Sequence, residues 1–200
     1  MPDIEFSPDE FRLMLDHQIF DIKADIISKI IILFTRVEEK IKNELGSAAF
    51  DFPEKLYLRS GKLSKGENYL NCPYLVLDYP RLFSKDDIFS FRTIFWWGHY
   101  FSNVIVLGGN SYHKYVNKLI NRTGKLKRTD WYLCVHHTPW KLEADDSNFI
   151  QIRTLSREEI TGYMHRYKFI KIAKLYPLGH YDQLTAGTTR FISRMLEIMR

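Results

Sequence analysis

The most unusual stretch of the sequence, Phe89 to Phe101, sets one arginine and one histidine among aromatic side chains. Arg92 and Trp96 are four residues apart, so they lie on the same side of either a strand or a helix. An arginine beside an indole can hold an anionic or planar ligand through charge-assisted hydrogen bonds and stacking. We therefore predict that Arg92, Trp96 and His99 line a binding cleft. The alternative is a structural cation–π pair within an aromatic core.

A second group of polar residues occurs in Asp78-Tyr79-Pro80-Arg81. The preceding residues, 74–78, have the composition of a strand, and Pro80 suggests a rigid turn after it. Charged residues at the end of a strand often line a cleft, so Asp78 and Arg81 are predicted to contribute to the same site. The alternative is a turn in which Asp78 caps backbone N–H groups.

One cysteine and one histidine suggest an enzymatic alternative. In the predicted strand 131–137, alternation places Cys134 and His136 on one face and His137 on the other. Cys134 and His136 could act as a thiol with its base, or as two ligands of a metal. No HExxH, HxH or CxxC pattern accompanies them, so a buried cysteine beside a structural histidine is the other interpretation.

The basic residues suggest a third function. The chain has 29 lysines and arginines against 24 acidic residues, a formal net charge of +5 with a pI near 9.1. Two clusters are noticeable: Lys118, Arg122, Lys125, Lys127 and Arg128, followed by Lys168, Lys171 and Lys174. Together they could follow the phosphates of a nucleic acid, although no recognised nucleic-acid-binding motif is present. Solvated charges are the simpler interpretation.

The remaining patterns limit cofactors and location. No P-loop, GxGxxG or GxSxG motif occurs, so the sequence predicts no cofactor. The most apolar run, Ile26 to Phe34, is about half the roughly 18 residues needed to span a bilayer. With two cysteines too few for a disulfide scaffold, we expect a cytoplasmic protein with reduced thiols.

Helices are predicted near both ends of the chain. Ser7 to Glu10 has the pattern of a capping box, which begins a helix from Pro8 to about His17. Residues 20–45 carry an apolar stripe at helical spacing, and its middle part is expected to be buried on more than one side. Further helices are predicted over residues 111–121, after a capping box at 156–159, and over 184–199.

Strands are predicted in the middle of the chain, at residues 56–60, 74–78, 103–107, 131–137, 149–154 and 169–175. Residues 61–66 are interpreted as a loop. The segment 84–102 fits either a strand or a helix, and its aromatic and β-branched composition favours a strand.

This order of elements predicts a single domain, residues 1–200, with an α+β fold. We expect a mainly antiparallel sheet packed by a long N-terminal helix and an amphipathic C-terminal helix. The function predicted first is binding of a small anionic or planar ligand, or of a protein partner, in an aromatic cleft. The Cys134–His136 enzyme and the nucleic-acid-binding protein are the alternatives.

Overall fold

The structure, a computed structural model that describes residues 4–200, has one seven-stranded antiparallel sheet with helices packed on it. The strands are β1 (Lys62–Tyr69), β2 (Cys72–Phe83), β3 (Asp87–Trp96), β4 (Tyr100–Gly108), β5 (Tyr132–Cys134), β6 (Phe149–Gln151) and β7 (Phe169–Pro177). The helices are α1 (Pro8–Leu15), α2 (Gln18–Ser47), α3 (Gly109–Asn121), α4 (Thr123–Leu126), α5 (Arg157–Arg166) and α6 (Leu184–Met199). The strand order is β1-β2-β3-β4-β7-β5-β6, which confirms the predicted α+β class.

The main core lies between one face of the sheet and helices α2, α3 and α6. One buried apolar cluster includes Phe34 and Val37 of α2, Phe89 and Phe91 of β3, and Met195 of α6. The opposite face of the sheet, called here the outer face, is also covered. Residues 135–148, which connect β5 to β6, lie over it, and their Leu142 joins a second apolar cluster. Because both faces are covered, the central strands are apolar along most of their length.

The first edge strand differs from the prediction. Residues 56–60, predicted as a strand, contribute only one isolated bridge, between Tyr57 and Arg81. Residues 61–66, interpreted as a loop, instead lie largely within β1, which pairs with β2. Because β1 is an edge strand with most side chains exposed, it lacks the apolar alternation on which strand prediction depends.

The predicted turn at Asp78–Arg81 was also wrong, because β2 continues through it to Phe83. The pairing of β2 with β3 shifts register between Asp78 and Arg81, which marks a bulge. Pro80 lies within this bulge, where the ladder does not require its missing N–H.

The strand interpretation of residues 84–102 was correct. This segment forms β3 and the beginning of β4, joined by a tight turn at Trp97–His99. Gly98 occupies this turn at φ +75°, a conformation that favours glycine. Further along, β5 is shorter than predicted and ends at Cys134, so His136 and His137 lie in the connection that follows it.

The long N-terminal helix was predicted correctly as α2, but its burial was not. Ile30 and Phe34 are buried, whereas Ile31 and Ile32 are exposed, so the middle of the helix is covered on one side only. None of the helices within residues 4–200 combines the length and apolar composition needed to cross a membrane.

Candidate functional site

Two of the predicted site residues, Asp78 and Arg92, form an ion pair on the outer face. They are directly opposite each other on β2 and β3. Arg92 Nε donates a hydrogen bond to Asp78 Oδ1 at 2.7 Å, and Ser90 Oγ donates to the same oxygen at 3.0 Å. The ring of Trp140 covers the guanidinium at 5.1 Å. The cation–π partner of Arg92 is therefore Trp140 from the 135–148 connection.

Trp96 lies four residues further along β3 than Arg92, and His99 follows it in the turn of the β3–β4 hairpin. Their rings stack with centroids 3.5 Å apart and an interplanar angle of 14°. Trp96 is buried, and its Nε1 has no hydrogen-bond partner among the described residues. Tyr69 and Tyr100 pack edge-on against the same indole.

Arg81 occupies a third location. Its guanidinium lies 4.4 Å from the ring of Tyr57, and its Nη1 donates to the Ser60 carbonyl at 2.5 Å. The five residues predicted to bind a ligand are thus divided among three places: Asp78 pairs with Arg92, Trp96 stacks on His99, and Arg81 lies apart from both pairs. Their role in ligand binding stays a prediction.

Cys134 and His136 do not form a thiol–imidazole contact. Cys134 Sγ donates to Asn148 Oδ1 at 3.3 Å, and His136 Nδ1 accepts from the Thr138 N–H at 3.3 Å. Burial raises the pKa of the Cys134 thiol, whereas a nucleophilic cysteine needs a lowered pKa. In residues 4–200, no three histidine, cysteine, aspartate or glutamate side chains are grouped so that they could hold a metal ion.

We expect Cys134 to resist alkylation in the native protein, because its thiol is buried and its pKa is raised. Cys72 is only half-buried and serves as the internal control. With iodoacetamide at neutral pH, Cys72 should react at least about ten times faster than Cys134, since a buried thiol waits for local opening. Peptide mass spectrometry measures both rates, and faster labelling of Cys134 would instead support the enzymatic alternative.

Positively charged side chains surround a cavity of about 1210 Å³ between α6, β7 and the residues after α4, called here the basic cavity. Six cationic side chains line it: Lys127, Arg128, Arg153, Lys174, Arg190 and Arg194. Two acidic side chains, Asp130 and Glu197, also line it. The lining therefore has a clear positive excess.

Several separate elements bring these cations together. Arg190 and Arg194 are four residues apart on α6 and therefore share one face of that helix. Lys127 and Arg128 come directly after α4, and Arg153 lies in the short 3₁₀ turn that follows β6. Because these elements line the same cavity, residues distant in sequence converge on one space.

Only part of this charge is neutralised within the protein. Lys174 pairs with Asp130, and Arg194 pairs with Glu197 at 2.5 Å. Within residues 4–200, the other four cations of the lining, Lys127, Arg128, Arg153 and Arg190, form no ion pair. The basic cavity therefore holds an unneutralised positive charge.

Aromatic side chains also line the basic cavity. The rings of Trp131 and Phe191 are in contact, with centroids 4.7 Å apart. Tyr176 accepts a hydrogen bond from Asn103 Nδ2 at 3.1 Å, and burial raises its pKa to about 12. Tyr176 therefore stays neutral at physiological pH and adds no negative charge to the site.

No protein-family model, curated protein or solved structure matches this chain.

The two basic clusters of the sequence do not form one surface. Lys127, Arg128 and Lys174 reach the basic cavity, whereas Lys171 is buried on the outer face. Within the first cluster, Arg122 donates to the carbonyls of Glu197 and Ile198 and Lys125 pairs with Glu197, while Lys118 lies over the ring of Tyr115. The sequence does not single out Arg153, Arg190 or Arg194. A signal that could have found two of them is the i,i+4 spacing of Arg190 and Arg194, which places both on one face of a helix.

Proposed function

We propose that this protein binds an anionic ligand carrying more than one phosphate group, and that it does so in the basic cavity. The observation that carries this proposal is the set of four unneutralised cations around one space, Lys127, Arg128, Arg153 and Arg190. Three of the four are arginines, whose planar guanidinium matches phosphate oxygens in a bidentate arrangement.

The distribution of the cations favours a ligand with several anionic groups. Lys127 and Arg128 come from one loop, Arg153 from a second and Arg190 from a helix. A single phosphate is too small to engage cations from every wall of a cavity of about 1210 Å³. Like charges held close together repel, so neutralisation by an anion stabilises the folded state.

Calorimetric titration with inorganic tripolyphosphate tests the proposal. Arg190→Ala is expected to weaken binding about tenfold or more, because a hydrogen bond to a charged group contributes about 1.5–3 kcal/mol. Arg59→Ala is the matched control, since Arg59 is exposed, forms no ion pair within residues 4–200 and precedes the opposite edge of the sheet. The affinity of the control is expected to equal that of the unchanged protein.

Two outcomes would contradict the proposal: no detectable binding of tripolyphosphate at low salt, or equal weakening by Arg59→Ala and Arg190→Ala. Equal weakening would mean that the anion is attracted by the net charge of +5 as a whole and does not bind at the basic cavity. Stronger binding of a single-stranded oligonucleotide than of tripolyphosphate, lost in Arg190→Ala, would favour the nucleic-acid alternative instead.

We also propose that the protein resides in the cytoplasm. Cys72 and Cys134 are both free thiols in the structure, and free thiols are typical of proteins in reducing compartments. Phosphorylated small molecules are ligands that such a protein would meet there. Fractionation of cells that express the tagged chain measures its location.

A further inference from the structure

The N-terminal residues form a projecting arm, defined here as residues 4–16 and containing α1. Every residue of this arm is exposed. Its helix is nevertheless well formed: Ser7 and Glu10 make both hydrogen bonds of a capping box, and Phe6 packs on Phe11 with ring centroids 5.8 Å apart. These are the contacts of a capping box and a hydrophobic staple, so the arm is built to be helical.

The arm lacks the tertiary contact that such a helix needs. A helix of eight residues is marginal in water on its own, because the cost of nucleation is spread over few hydrogen bonds. Its apolar residues Phe11, Met14 and Leu15 are 53%, 64% and 80% exposed. A contiguous apolar surface of this kind marks an interaction site.

The same chain has an apolar groove that could receive such a helix. This groove has a volume of about 730 Å³ and lies between α2 and the turn of the β3–β4 hairpin. Its main lining residues are Ile30, Leu33, Phe95, Trp97, Phe101 and Tyr181. Ile32, which also lines it, is 54% exposed, so the groove is open to a partner.

Charge identifies the arm as the occupant. The groove is bordered by Lys29 and Arg36, which form no ion pair within residues 4–200, and no acidic residue lines it. The arm is acidic: it contains the carboxylates Glu5, Asp9, Glu10 and Asp16 against one guanidinium, Arg12. An acidic amphipathic helix therefore complements an apolar groove with a basic border.

We propose that the arm of one chain docks in the apolar groove of a second copy, and that the reciprocal contact closes a symmetric dimer. Reciprocal docking of the same two surfaces is the geometry of a closed two-fold interface. This proposal does not depend on the proposed function.

The geometry of the link between α1 and α2 favours exchange between copies over docking within one chain. Only Asp16 and His17 separate the two helices. If α1 folded back antiparallel on its own α2, both helices would rise equally, about 1.5 Å per residue, and Pro8 would lie near residue 25. The far end of α1 would thus fall short of Ile30 and Leu33, which line the groove.

Light scattering on the full chain tests the proposal. The expected mass is twice the chain mass of 23.9 kDa. It should halve in the arm variant Met14→Asp/Leu15→Asp and in the groove variant Ile32→Asp. All three positions are exposed, so the subunit fold should be unaffected, and circular dichroism checks this. Leu70→Asp is the matched control, because Leu70 is 60% exposed but lies in the β1–β2 turn.

Disulfide trapping distinguishes exchange from folding back. In a chain carrying Leu15→Cys and Ile32→Cys, with Cys72 and Cys134 replaced by serine and alanine, oxidation is expected to produce a covalent dimer. A monomeric mass at every concentration would overturn the proposal. So would a dimer that survives both the arm and the groove variants, or a disulfide formed within one chain.

Discussion

Replacement of Asp78 by alanine is expected to lower the free energy of unfolding by about 3–5 kcal/mol. Asp78 is 4% exposed and accepts hydrogen bonds from both Arg92 and Ser90. Its removal leaves the Arg92 guanidinium, enclosed by Trp140, without a counterion. An uncompensated charge in such a position costs more than the ion pair contributes.

Urea denaturation measures this loss, and the expected fall in melting temperature is on the order of 10 °C for a domain of this size. Glu197→Ala is the matched control: it removes a carboxylate from the ion pairs with Lys125 and Arg194, which are partly exposed. Exposed ion pairs contribute little, so the control should lose less than about 1 kcal/mol.

A double variant separates loss of the pair from loss of volume. Asp78→Leu with Arg92→Met replaces both charges by apolar groups and should recover a large part of the stability lost in Asp78→Ala. If Asp78→Ala costs less than about 1 kcal/mol, the pair is not a structural element. The prediction that Asp78 and Arg92 serve ligand binding would then gain support.

Replacement of Lys171 by methionine is expected to stabilise the protein at pH 7, by about 1–3 kcal/mol. Lys171 is 3% exposed, and its Nζ donates to the Lys141 carbonyl at 2.5 Å while lying over the ring of Phe149. Asn148 Nδ2 also donates to that carbonyl, at 3.2 Å, so the carbonyl keeps a partner in the variant. Methionine fills a similar volume without the cost of burying a charge.

The pH dependence provides the sharper measurement. Burial lowers the pKa of Lys171 from 10.5 to about 8. Between these values the unfolded chain binds a proton that the folded chain has lost, so the stability of the unchanged protein rises with pH. Below pH 8 both states are protonated, and the full cost of the buried charge is present.

The stability advantage of Lys171→Met should therefore shrink by about 2 kcal/mol between pH 8 and pH 10. Comparing the two proteins at each pH cancels the titration of other groups. Lys65→Met, at an exposed position of β1, is the control for the loss of one positive charge, because it removes a lysine that is not buried. If Lys171→Met is less stable than the unchanged protein at pH 7, the contacts of Lys171 stabilise the fold by more than the burial of its charge destabilises it.

Helices and strands could be predicted from the sequence where their buried side chains are apolar and recur at the spacing of a helix or a strand. Helices α2 and α6 carry apolar stripes, and strands β3, β4 and β7 are aromatic and β-branched because both faces of the sheet are covered. Strand β1 could not be predicted in the same way. It is an edge strand held by backbone hydrogen bonds to β2, and most of its side chains are exposed. Its sequence therefore lacks the alternation of apolar and polar residues that predicts a strand.

The basic cavity could be predicted only in part, because its cations are far apart in sequence. Lys127, Arg128 and Lys174 belong to clusters that are visible in the sequence, but Arg153 and Arg190 reach the cavity through packing of the 3₁₀ turn and α6. The sequence placed Lys171 and Lys174 in one basic cluster, but their side chains point to opposite faces of β7. Lys171 is buried on the outer face, whereas Lys174 lines the basic cavity.

The position of β7 has a consequence for the order in which the chain can fold during synthesis. Strands β1 to β4 are consecutive hairpins, but the neighbour of β4 on its other side is β7, residues 169–177. Until the ribosome has released those residues, β4 is an open edge of an apolar strand, which readily pairs with other chains. A nascent chain that pauses before residue 169 therefore leaves β4 open to pairing with other chains until β7 has been made.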